Sequence, residues 1–254
     1  MQVIHATWEL ENLSAQTYEF FVDARDSLES FAEKERECIA AGAEYLVVKT
    51  PVNCPHWLFG LPALHYVFVE TVFHVAVKRA DYVIPAAVAR FDRGFSVEER
   101  GKPEDIARVA DLIRSGIFLT DRVSMDPHFT AAQSGCRFAN WTRSMLEAGG
   151  KLYEVLREEK PIGFFVICRK DENTVDPVLM GLYDERNDRG MGALLHKKAL
   201  DTCFAWDCKQ LQSTIVSNNG KVLRVYVNAG ATVVNTLYTY VKHTGGPAAL
   251  RRDR

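Results

Sequence analysis

The chain has 254 residues, of which 47% are apolar and 25% are charged, and these ordinary globular values exclude intrinsic disorder for most of its length. Its 31 basic and 33 acidic residues give a net charge of −2, which is not the basic excess typical of nucleic-acid-binding proteins. No apolar run reaches the roughly 18 residues of a membrane-spanning helix, and no secretory signal opens the chain. We therefore expect a cytoplasmic protein with its six cysteines as free thiols, and neither nucleic acid nor a membrane as a partner.

The N-terminal part of the chain is predicted to mix helix and strand. Apolar residues recur at helical spacing among charged ones in Leu28–Ala41. Tyr45–Thr50 and Tyr66–Val77 are rich in β-branched and aromatic residues, which is typical of strands. The charged run Arg90–Glu104 is interpreted as a solvated boundary. These features predict a smaller α/β domain over residues 1–95.

The helices and strands of the rest of the chain are predicted more clearly. A helix is expected from Pro103, since carboxylates follow in its first turn, and another over Cys136–Ala148, which Gly149–Gly150 ends. After these come a strand Lys151–Arg157, a tight turn Glu158–Pro161, strands Ile162–Arg169 and Pro177–Tyr183, a helix Gly190–Asp207, a strand Gln210–Val216, a helix Lys221–Ala229 and a strand Thr232–Lys242. This β-β-β-α-β-α-β order predicts a second domain over residues 96–243 and a flexible tail over residues 244–254.

The loop Asp184–Gly192 reads D-E-R-N-D-R-G-M-G, follows a predicted strand and opens a predicted helix. Gly190 and Gly192 lack a Cβ atom, so the backbone there can turn sharply and approach a ligand closely. Backbone N–H groups and the helix dipole together suit an anion such as a pyrophosphate, with Arg186 and Arg189 beside it. The alternative is a helix entry turn that binds nothing.

A second motif follows one α-β unit later. Asn219 lies after a strand, at the start of the next predicted helix. Tyr226 is seven residues further on and therefore on roughly the same helix face. Gly230 is placed to end the helix. Without further context the favoured interpretation of Tyr226 is a packed helix tyrosine that makes one hydrogen bond.

Together the two motifs resemble those of the GCN5-related N-acetyltransferases. That family's loop reads Q/R-x-x-G-x-G/A, which here is Asn187–Gly192 with Asn187 in the place of Gln or Arg. The family's later helix reads N-x-x-A-x-x-x-Y-x-x-x-G-F, of which Asn219, Tyr226 and Gly230 match, while Val222 replaces Ala and Ala231 replaces Phe. The resemblance implies an α/β (α+β) fold with a mixed, mostly antiparallel sheet flanked by helices, and an acyl-CoA co-substrate. Its expected contacts are Leu182, Tyr183, Arg189, Gly190, Met191, Gly192, Ala193 and Asn219.

Several short segments also resemble the dTDP-fucosamine acetyltransferase branch of that superfamily. They are Thr7-Trp8-Glu9, Phe68-Val69-Glu70, Arg122 with Asp126-Pro127, Arg137-Phe138-Ala139-Asn140-Trp141 and Gly230-Ala231. This resemblance implies that the acceptor is the C3 or C4 amine of a dTDP-linked amino-dideoxyhexose, with the N-terminal domain contributing to its site. The acyl group is expected to be acetyl or a larger one such as hydroxybutyryl, the product to feed a surface polysaccharide such as O-antigen, and the chain to form a homodimer.

The same resemblance assigns roles to residues. Tyr226 is expected to protonate the leaving thiolate, because a phenol of pKa ~10 stays protonated at neutral pH. Glu70 is the candidate base for the amine if it is buried in its apolar strand, and an exposed edge residue otherwise. A backbone N–H near Leu182–Tyr183 is expected to polarise the thioester carbonyl. Arg122, Asp126 and Trp141 are candidate contacts to the nucleotide sugar, although the helical spacing of Trp141 also suits a core position.

Other chemistries have little support in the sequence. The seven histidines form neither H-x-x-x-H nor H-E-x-x-H, so no metal is predicted. Three rival functions stay open. The same fold could act on a protein or another small-molecule amine, the chain could be a CoA-binding regulatory module without catalysis, or it could be a nucleotide-sugar enzyme that does not use CoA.

Overall fold

One sheet of ten strands organises the computed structural model, which describes residues 1–184 and 190–245. The strands run in the order β1-β2-β3-β10-β4-β9-β8-β7-β6-β5, and neighbours are antiparallel except for the parallel pairs β2–β3 and β8–β9. Their bounds are β1 Gln2–His5, β2 Thr17–Phe21, β3 Tyr45–Pro51, β4 Val67–Lys78, β5 Phe95–Arg100, β6 Lys151–Arg157, β7 Lys160–Arg169, β8 Thr174–Leu182, β9 Gln210–Val216 and β10 Thr232–His243.

Helices cover both faces of this sheet. Side-chain caps start two of the longer ones, since the Ser27 hydroxyl accepts from the Ser30 N–H and Thr130 forms a capping box with Gln133. Their bounds are α1 Trp8–Leu13, α2 Leu28–Ala40, α3 Pro55–Ala63, α4 Ala86–Arg90, α5 Pro103–Arg114, α6 Arg122–Met125, α7 Ala131–Glu147, α8 Met191–Ala205 and α9 Gly220–Asn228, with a 3₁₀ turn at Arg79–Asp81.

The predicted fold class and the predicted order from residue 151 onward are confirmed: β6-β7-β8-α8-β9-α9-β10 follows as expected. The position of the C-terminal strand β10 in the sheet is not predicted by the sequence. It lies between β3 and β4, pairing antiparallel with both, so the sheet is continuous across the predicted boundary near residue 95. The division into two domains remains a prediction.

Three local expectations need correction. The charged run interpreted as a solvated boundary contains β5, which pairs antiparallel with β6, because an edge strand tolerates charge on its solvent face. The expected turn before β7 is confined to Glu158 and Glu159, both at positive φ, so Pro161 already belongs to the strand. Thr244, expected in a flexible tail, donates its backbone N–H to Glu44 O at 3.1 Å.

Alternation along the strands divides the core between the two faces of the sheet. On β3, Leu46 and Val48 pack beneath α2 and α3, whereas Tyr45 and Val47 pack on the opposite face against Val123 of α6. In the C-terminal half α8 and α9 cover one face, and α5 and α7 cover the other. The strands are therefore held rigidly on both sides, which fixes the groups that they present where the sheet opens.

Two further sequence expectations concern cysteines and membranes. All six cysteines are free thiols, as predicted. Among the helices of residues 1–184 and 190–245, none combines the length and apolar character that crossing a bilayer requires.

Candidate active site

The sheet opens where β8 and β9 separate. Their parallel pairing holds only at Thr174 with Gln210 and Val175 with Leu211. Immediately afterwards β8 carries Pro177, which has no N–H to donate, and Val178, which is left unpaired as a bulge against β7. The strands diverge there and form one wall of a cleft of about 820 Å³. Beyond the bulge β8 stays paired with β7 on one side, and on its other side it is no longer paired with β9.

Helices α1 and α7 form the opposite rim of the cleft. The Asn140 side-chain amide on α7 donates to the Asn12 side-chain oxygen on α1 at 2.8 Å, which joins the two helices. Trp8 and Trp141 stand on either side of this bond and line the cleft. Trp141 is 43% exposed and Trp8 is 52% exposed, so neither is a core residue. The cleft mouth therefore offers two aromatic surfaces to a ligand.

Glu70 lies in the cleft on β4, an interior strand, and is 5% exposed. This excludes the alternative of an exposed edge residue. Its Oε2 has no hydrogen-bond partner among the described residues. Burial raises the pKa of the Glu70 carboxyl to about 7, an effect only partly offset by the positive charge of Arg122. A carboxyl with this pKa can accept a proton near neutrality.

Tyr226 reaches the same cleft from α9. The Asn219 side chain accepts from the Val222 N–H at 3.4 Å and so caps the helix, which places Tyr226 two turns later on the cleft side. Tyr226 is 1% exposed, and its hydroxyl makes no hydrogen bond of ordinary geometry with the described residues. Burial raises the pKa of this phenol, and the nearby Ser213 lowers it only slightly. The group is therefore fully protonated at neutral pH.

His196 of α8 is a cleft residue that the sequence did not reveal. Its Nδ1–H donates to the carbonyl oxygen of Gly192 at 2.7 Å, so its Nε2 is the unprotonated acceptor. This Nε2 is buried without a partner, and burial lowers the pKa of the imidazole. The ring meets that of Tyr226 edge-on, with centroids 6.0 Å apart. His196 is thus a neutral hydrogen-bond acceptor beside Tyr226.

A buried ionic network forms the floor of the cleft. Arg122 donates to Glu9 at 3.1 Å and to Glu19 at 2.7 Å, Arg137 donates to Glu9 at 2.7 Å, and Lys49 donates to Glu19 at 3.1 Å. Burial alone would raise the pKa of Glu19, but Arg122, Lys49 and Arg137 together lower it to about 2. Arg122, the predicted sugar-nucleotide contact, is therefore already paired with two carboxylates, and its buried Nε has no hydrogen-bond partner among the described residues.

Two of the predicted CoA contacts lie outside the cleft. The Tyr183 N–H donates to Ile162 O at 2.9 Å, so it is not free to polarise a carbonyl. The Tyr183 hydroxyl donates to Glu154 and accepts from Arg108 on the far side of the sheet. Neither Leu182 nor Tyr183 lines the cleft. The strand backbone that does face it belongs to Val178–Met180, because the bulge re-aims that part of β8.

The N-terminus of α8 has the open backbone that the glycine motif predicts. Gly190 adopts φ +87° as the residue before the helix, and a Cβ at Gly190 or Gly192 would meet no atom of the described residues within 4 Å. Met191 and Ala193 complete this first turn. Residues 185–189, which include Asn187 and the predicted contact Arg189, lie outside the described part of the chain.

Asp126 was predicted to contact the substrate, but it lies away from the cleft. Its carboxylate accepts from His128 Nδ1 at 2.9 Å and from His243 Nε2 at 2.8 Å. Of the three predicted substrate residues, Arg122 and Trp141 line the cleft and Asp126 does not.

Solved structures show what this architecture is. A GCN5-related N-acetyltransferase from Kribbella flavida superposes with a TM-score of 0.58 at 16% identity, covering 91% of this chain and 82% of its own. A tandem GNAT protein from the clavulanic acid biosynthesis pathway gives 0.55 at 11% identity, covering 86% of this chain and 70% of its own.

The chain has the GCN5-related N-acetyltransferase (GNAT) fold. A third protein of this fold is a glucosamine N-acetyltransferase region of a fungal multi-domain β-N-acetylglucosaminidase, with a TM-score of 0.55 at 11% identity, covering 77% of this chain and 25% of that one. No family model and no curated protein matches the sequence. The GNAT fold is therefore established by structural similarity. In this chain the sheet of that fold opens where β8 and β9 separate.

Proposed function

We propose that the protein is an acyl-CoA-dependent N-acyltransferase. The observation that carries this proposal is the convergence of Glu70 and Tyr226 on one cleft, at the point where β8 and β9 separate. One buried group accepts a proton near neutrality and the other donates one, which are the two proton transfers that amide formation from a thioester requires.

The gap between β8 and β9 suits the pantetheine arm of acyl-CoA. This arm is an extended chain with two amides, and it can take the place of a strand between β8 and β9. The N–H groups of β8 around Val178–Met180 then point at the thioester carbonyl and polarise it. Gly190–Ala193 at the start of α8 would hold the pyrophosphate with open backbone N–H groups, together with Arg189. Asn219 both caps α9 and lines the cleft beside the arm.

The reaction follows from these placements. The ionised Glu70 carboxylate removes a proton from the acceptor ammonium, and the free amine attacks the thioester carbonyl carbon. The C–N bond forms and the C–S bond breaks as the tetrahedral intermediate collapses. The Tyr226 hydroxyl gives its proton to the departing thiolate, so CoA leaves as a thiol, and the second proton lost by the attacking nitrogen restores the Tyr226 hydroxyl as the neutral amide forms. No covalent enzyme intermediate is needed.

For the acceptor we propose the C3 or C4 amine of a dTDP-linked amino-dideoxy sugar. The segments that resemble the dTDP-fucosamine branch are far apart in sequence, yet Trp8, Glu70, Arg122, Arg137 and Trp141 all line the cleft. Trp141 or Trp8 can stack on a base or sugar ring, and Arg122 Nε is an available donor for a diphosphate oxygen. The fungal GNAT region named above acts on glucosamine, which is also a sugar amine.

Within this proposal residues 1–95 form a domain that contributes to the acceptor site, and residues 96–243 form the acyl-CoA-binding catalytic domain. The acyl group is acetyl or a larger one such as hydroxybutyryl. The product would serve the cytoplasmic stage of surface polysaccharide synthesis, such as that of O-antigen, and the protein would act as a homodimer.

Thiol release from acetyl-CoA, followed with a chromogenic thiol reagent across a panel of dTDP-amino sugars, tests the proposal. Tyr226→Phe is expected to lower kcat by about 10²-fold or more if it removes the general acid. Tyr66→Phe is the matched control, because Tyr66 is also buried with an unpartnered hydroxyl but lies in the core beneath α2 and α3. This control should keep full activity.

Each of the other possible results of this assay would support a different function. Thiol release with other amines but not with dTDP-amino sugars would keep the N-acyltransferase and overturn the acceptor. Binding of acetyl-CoA without thiol release for any amine would favour a regulatory CoA-binding module. Absence of acetyl-CoA binding would overturn the whole proposal and favour a nucleotide-sugar enzyme that does not use CoA.

A further inference from the structure

Two histidines and one aspartate meet at a point remote from the cleft. Asp126 follows the last residue of α6, His128 lies two residues later, and His243 ends β10. The closest contacts are His128 Nδ1 to Asp126 Oδ1 at 2.9 Å and His243 Nε2 to Asp126 Oδ2 at 2.8 Å. One potential ligand atom from each side chain lies within 4.8 Å of the other two. Asp126 is buried, and the histidines are partly buried.

The backbone brings these side chains together. The Asp126 Oδ1 also accepts the His128 backbone N–H at 3.0 Å, which closes the turn after α6. Pairing of His243 with Tyr45 in the β10–β3 ladder fixes the end of β10 above that turn. The two imidazoles then stack with centroids 3.8 Å apart, and Tyr45 packs against His243 at 4.8 Å. The arrangement is therefore held from three segments and does not depend on a mobile surface chain.

We propose that Asp126, His128 and His243 form a binding site for a divalent transition-metal ion, with Zn²⁺ as the best fit. Imidazole nitrogen and carboxylate oxygen are ordinary zinc ligands, at about 2.0–2.2 Å from the ion. Ligand atoms around a tetrahedral ion at that distance are about 3.3 Å apart. The separations of 2.8 and 2.9 Å run to the two different oxygens of Asp126, and one ligand atom from each residue lies within 4.8 Å of the others, so side-chain adjustments of up to about 1.5 Å bring the three around one ion.

Metal binding requires the ring nitrogens that would hold the ion to be free of their protons. The N–H groups of His128 and His243 now donate to the carboxylate, and each ring must present an unprotonated nitrogen to a metal. For His128 the proton can move to Nε2, which is buried and has no partner among the described residues. Three protein ligands leave a fourth position for water. No H-x-x-x-H motif marks this site because His128 and His243 are 115 residues apart in the chain.

The ion would act as a brace and not as a catalyst, since none of the three residues lines the cleft. The Asp126 N–H donates to Arg122 O at 3.1 Å, one helical turn back. Arg122 in turn holds Glu9 and Glu19 on the cleft floor. Metal binding would therefore tie the end of β10 to the segment that positions this ionic network. The site does not depend on the function proposed above.

The test uses the full chain, stripped of metal with a chelator and titrated with Co²⁺ and then Zn²⁺. Visible absorption of bound Co²⁺ reports nitrogen and oxygen ligation, and displacement by Zn²⁺ reports relative affinity. We expect one ion per chain and a Tm increase of about 5–10 °C at about a hundredfold excess of free Zn²⁺ over Kd. His128→Phe, which keeps the ring stack, and His243→Gln should each weaken binding at least about tenfold, as loss of even an outer metal partner does.

His56→Ala is the control for adventitious binding, because His56 is exposed on α3 and outside the cluster. It should bind as the wild type does. The thermal transition of each variant without metal shows that it is folded. Failure of the wild type to bind one ion saturably, or equal binding by wild type and both cluster variants, would overturn the proposal.

Discussion

Replacing Glu70 by glutamine is expected to stabilise the protein above neutral pH while it removes the catalytic base. The substitution keeps the shape of the side chain and removes its charge. In the folded protein burial raises the pKa of Glu70 from 4.5 to about 7. A raised carboxyl pKa means that the neutral form favours folding, and this contribution is fully present below pH 4.5 and is lost as the pH rises through about 7.

The pKa difference sets the size of the effect. A change from 4.5 to about 7 corresponds to about 3 kcal/mol, at 1.36 kcal/mol for each pH unit. The Glu70→Gln variant cannot ionise, so it is not destabilised over this interval. We therefore expect equal unfolding free energies near pH 4.5 and a difference of about 3 kcal/mol in favour of the variant by pH 8. In a chain of this size that difference raises Tm by roughly 6–12 °C.

Urea denaturation of wild type and variant at several pH values between 4.5 and 9 measures the difference directly. The pH dependence of thiol release supplies the second readout. In the wild type kcat/KM should rise with pH and level off above about 7, as Glu70 ionises. The variant should be far less active throughout and should lose this rise.

Glu19→Gln is the matched control, since Glu19 is a buried glutamate of the same cleft with the opposite shift. Burial raises its pKa, but Arg122, Lys49 and Arg137 outweigh burial and lower it to about 2. Its ionised form therefore stabilises the fold above pH 4.5, and this contribution is lost as the pH falls through about 2. Glu19→Gln should destabilise the protein by about 3 kcal/mol at neutral pH. If Glu70→Gln instead destabilises it equally at pH 5 and pH 9, Glu70 is not buried as described.

Three further predictions concern single side chains. Gly94→Ala should lower the unfolding free energy, measured by urea denaturation, by about 1–2 kcal/mol because of its positive φ alone. Gly230→Ala should lower it by about 1–3 kcal/mol more, because a Cβ at Gly230 would also lie 2.2 Å from Asp81 O. Equal effects of the two substitutions would contradict this packing. Tyr226→Phe should raise the unfolding free energy by about 1–3 kcal/mol, since it removes a buried hydroxyl that has no ordinary hydrogen-bond partner among the described residues, and a decrease would indicate a structural role. Trp141→Ala should raise KM for the acceptor about threefold to tenfold by removing a stacking surface while KM for acetyl-CoA stays constant, and an equal rise for both substrates would argue against acceptor stacking.

Local pattern predicted the second half of the fold and the longer early elements α2, β3, β4 and α5 well, and it missed the short early elements. From Lys151 onward the strands alternate or are continuously apolar, and glycine separates them from the helices. Earlier elements such as α1, β1 and α3 are short, and α3 contains Pro62, so they lack a periodic signal. The insertion of β10 between β3 and β4 joins segments almost 200 residues apart, and no local feature encodes that pairing.

The residues of the cleft likewise divide into those that a local sequence pattern reveals and those that it does not. Tyr226 was found because its spacing from Asn219 is a motif, and Glu70 because a carboxylate in an apolar strand is conspicuous. His196 was missed since a histidine within an apolar helix has no distinguishing pattern. The open backbone at Val178 depends on how β8 pairs with two neighbours. The assignment of Asp126 to the substrate rests on the resemblance alone, and its contact with His243 depends on the placement of β10, which no local pattern encodes.

The cleft brings together unsatisfied buried polar atoms from different elements. Glu70 Oε2, His196 Nε2 and Tyr226 Oη come from β4, α8 and α9, and none has an ordinary hydrogen-bond partner within the described residues. An orphaned buried polar atom costs about 1–3 kcal/mol, so three in one cavity are hard to retain unless a ligand satisfies them. An acyl thioester and an amine supply the complementary groups, because the amine donates to the carboxylate and the sulfur accepts from the phenol. Folding stability and ligand binding are therefore linked in this cleft, and occupancy by both substrates should stabilise the fold beyond what either gives alone.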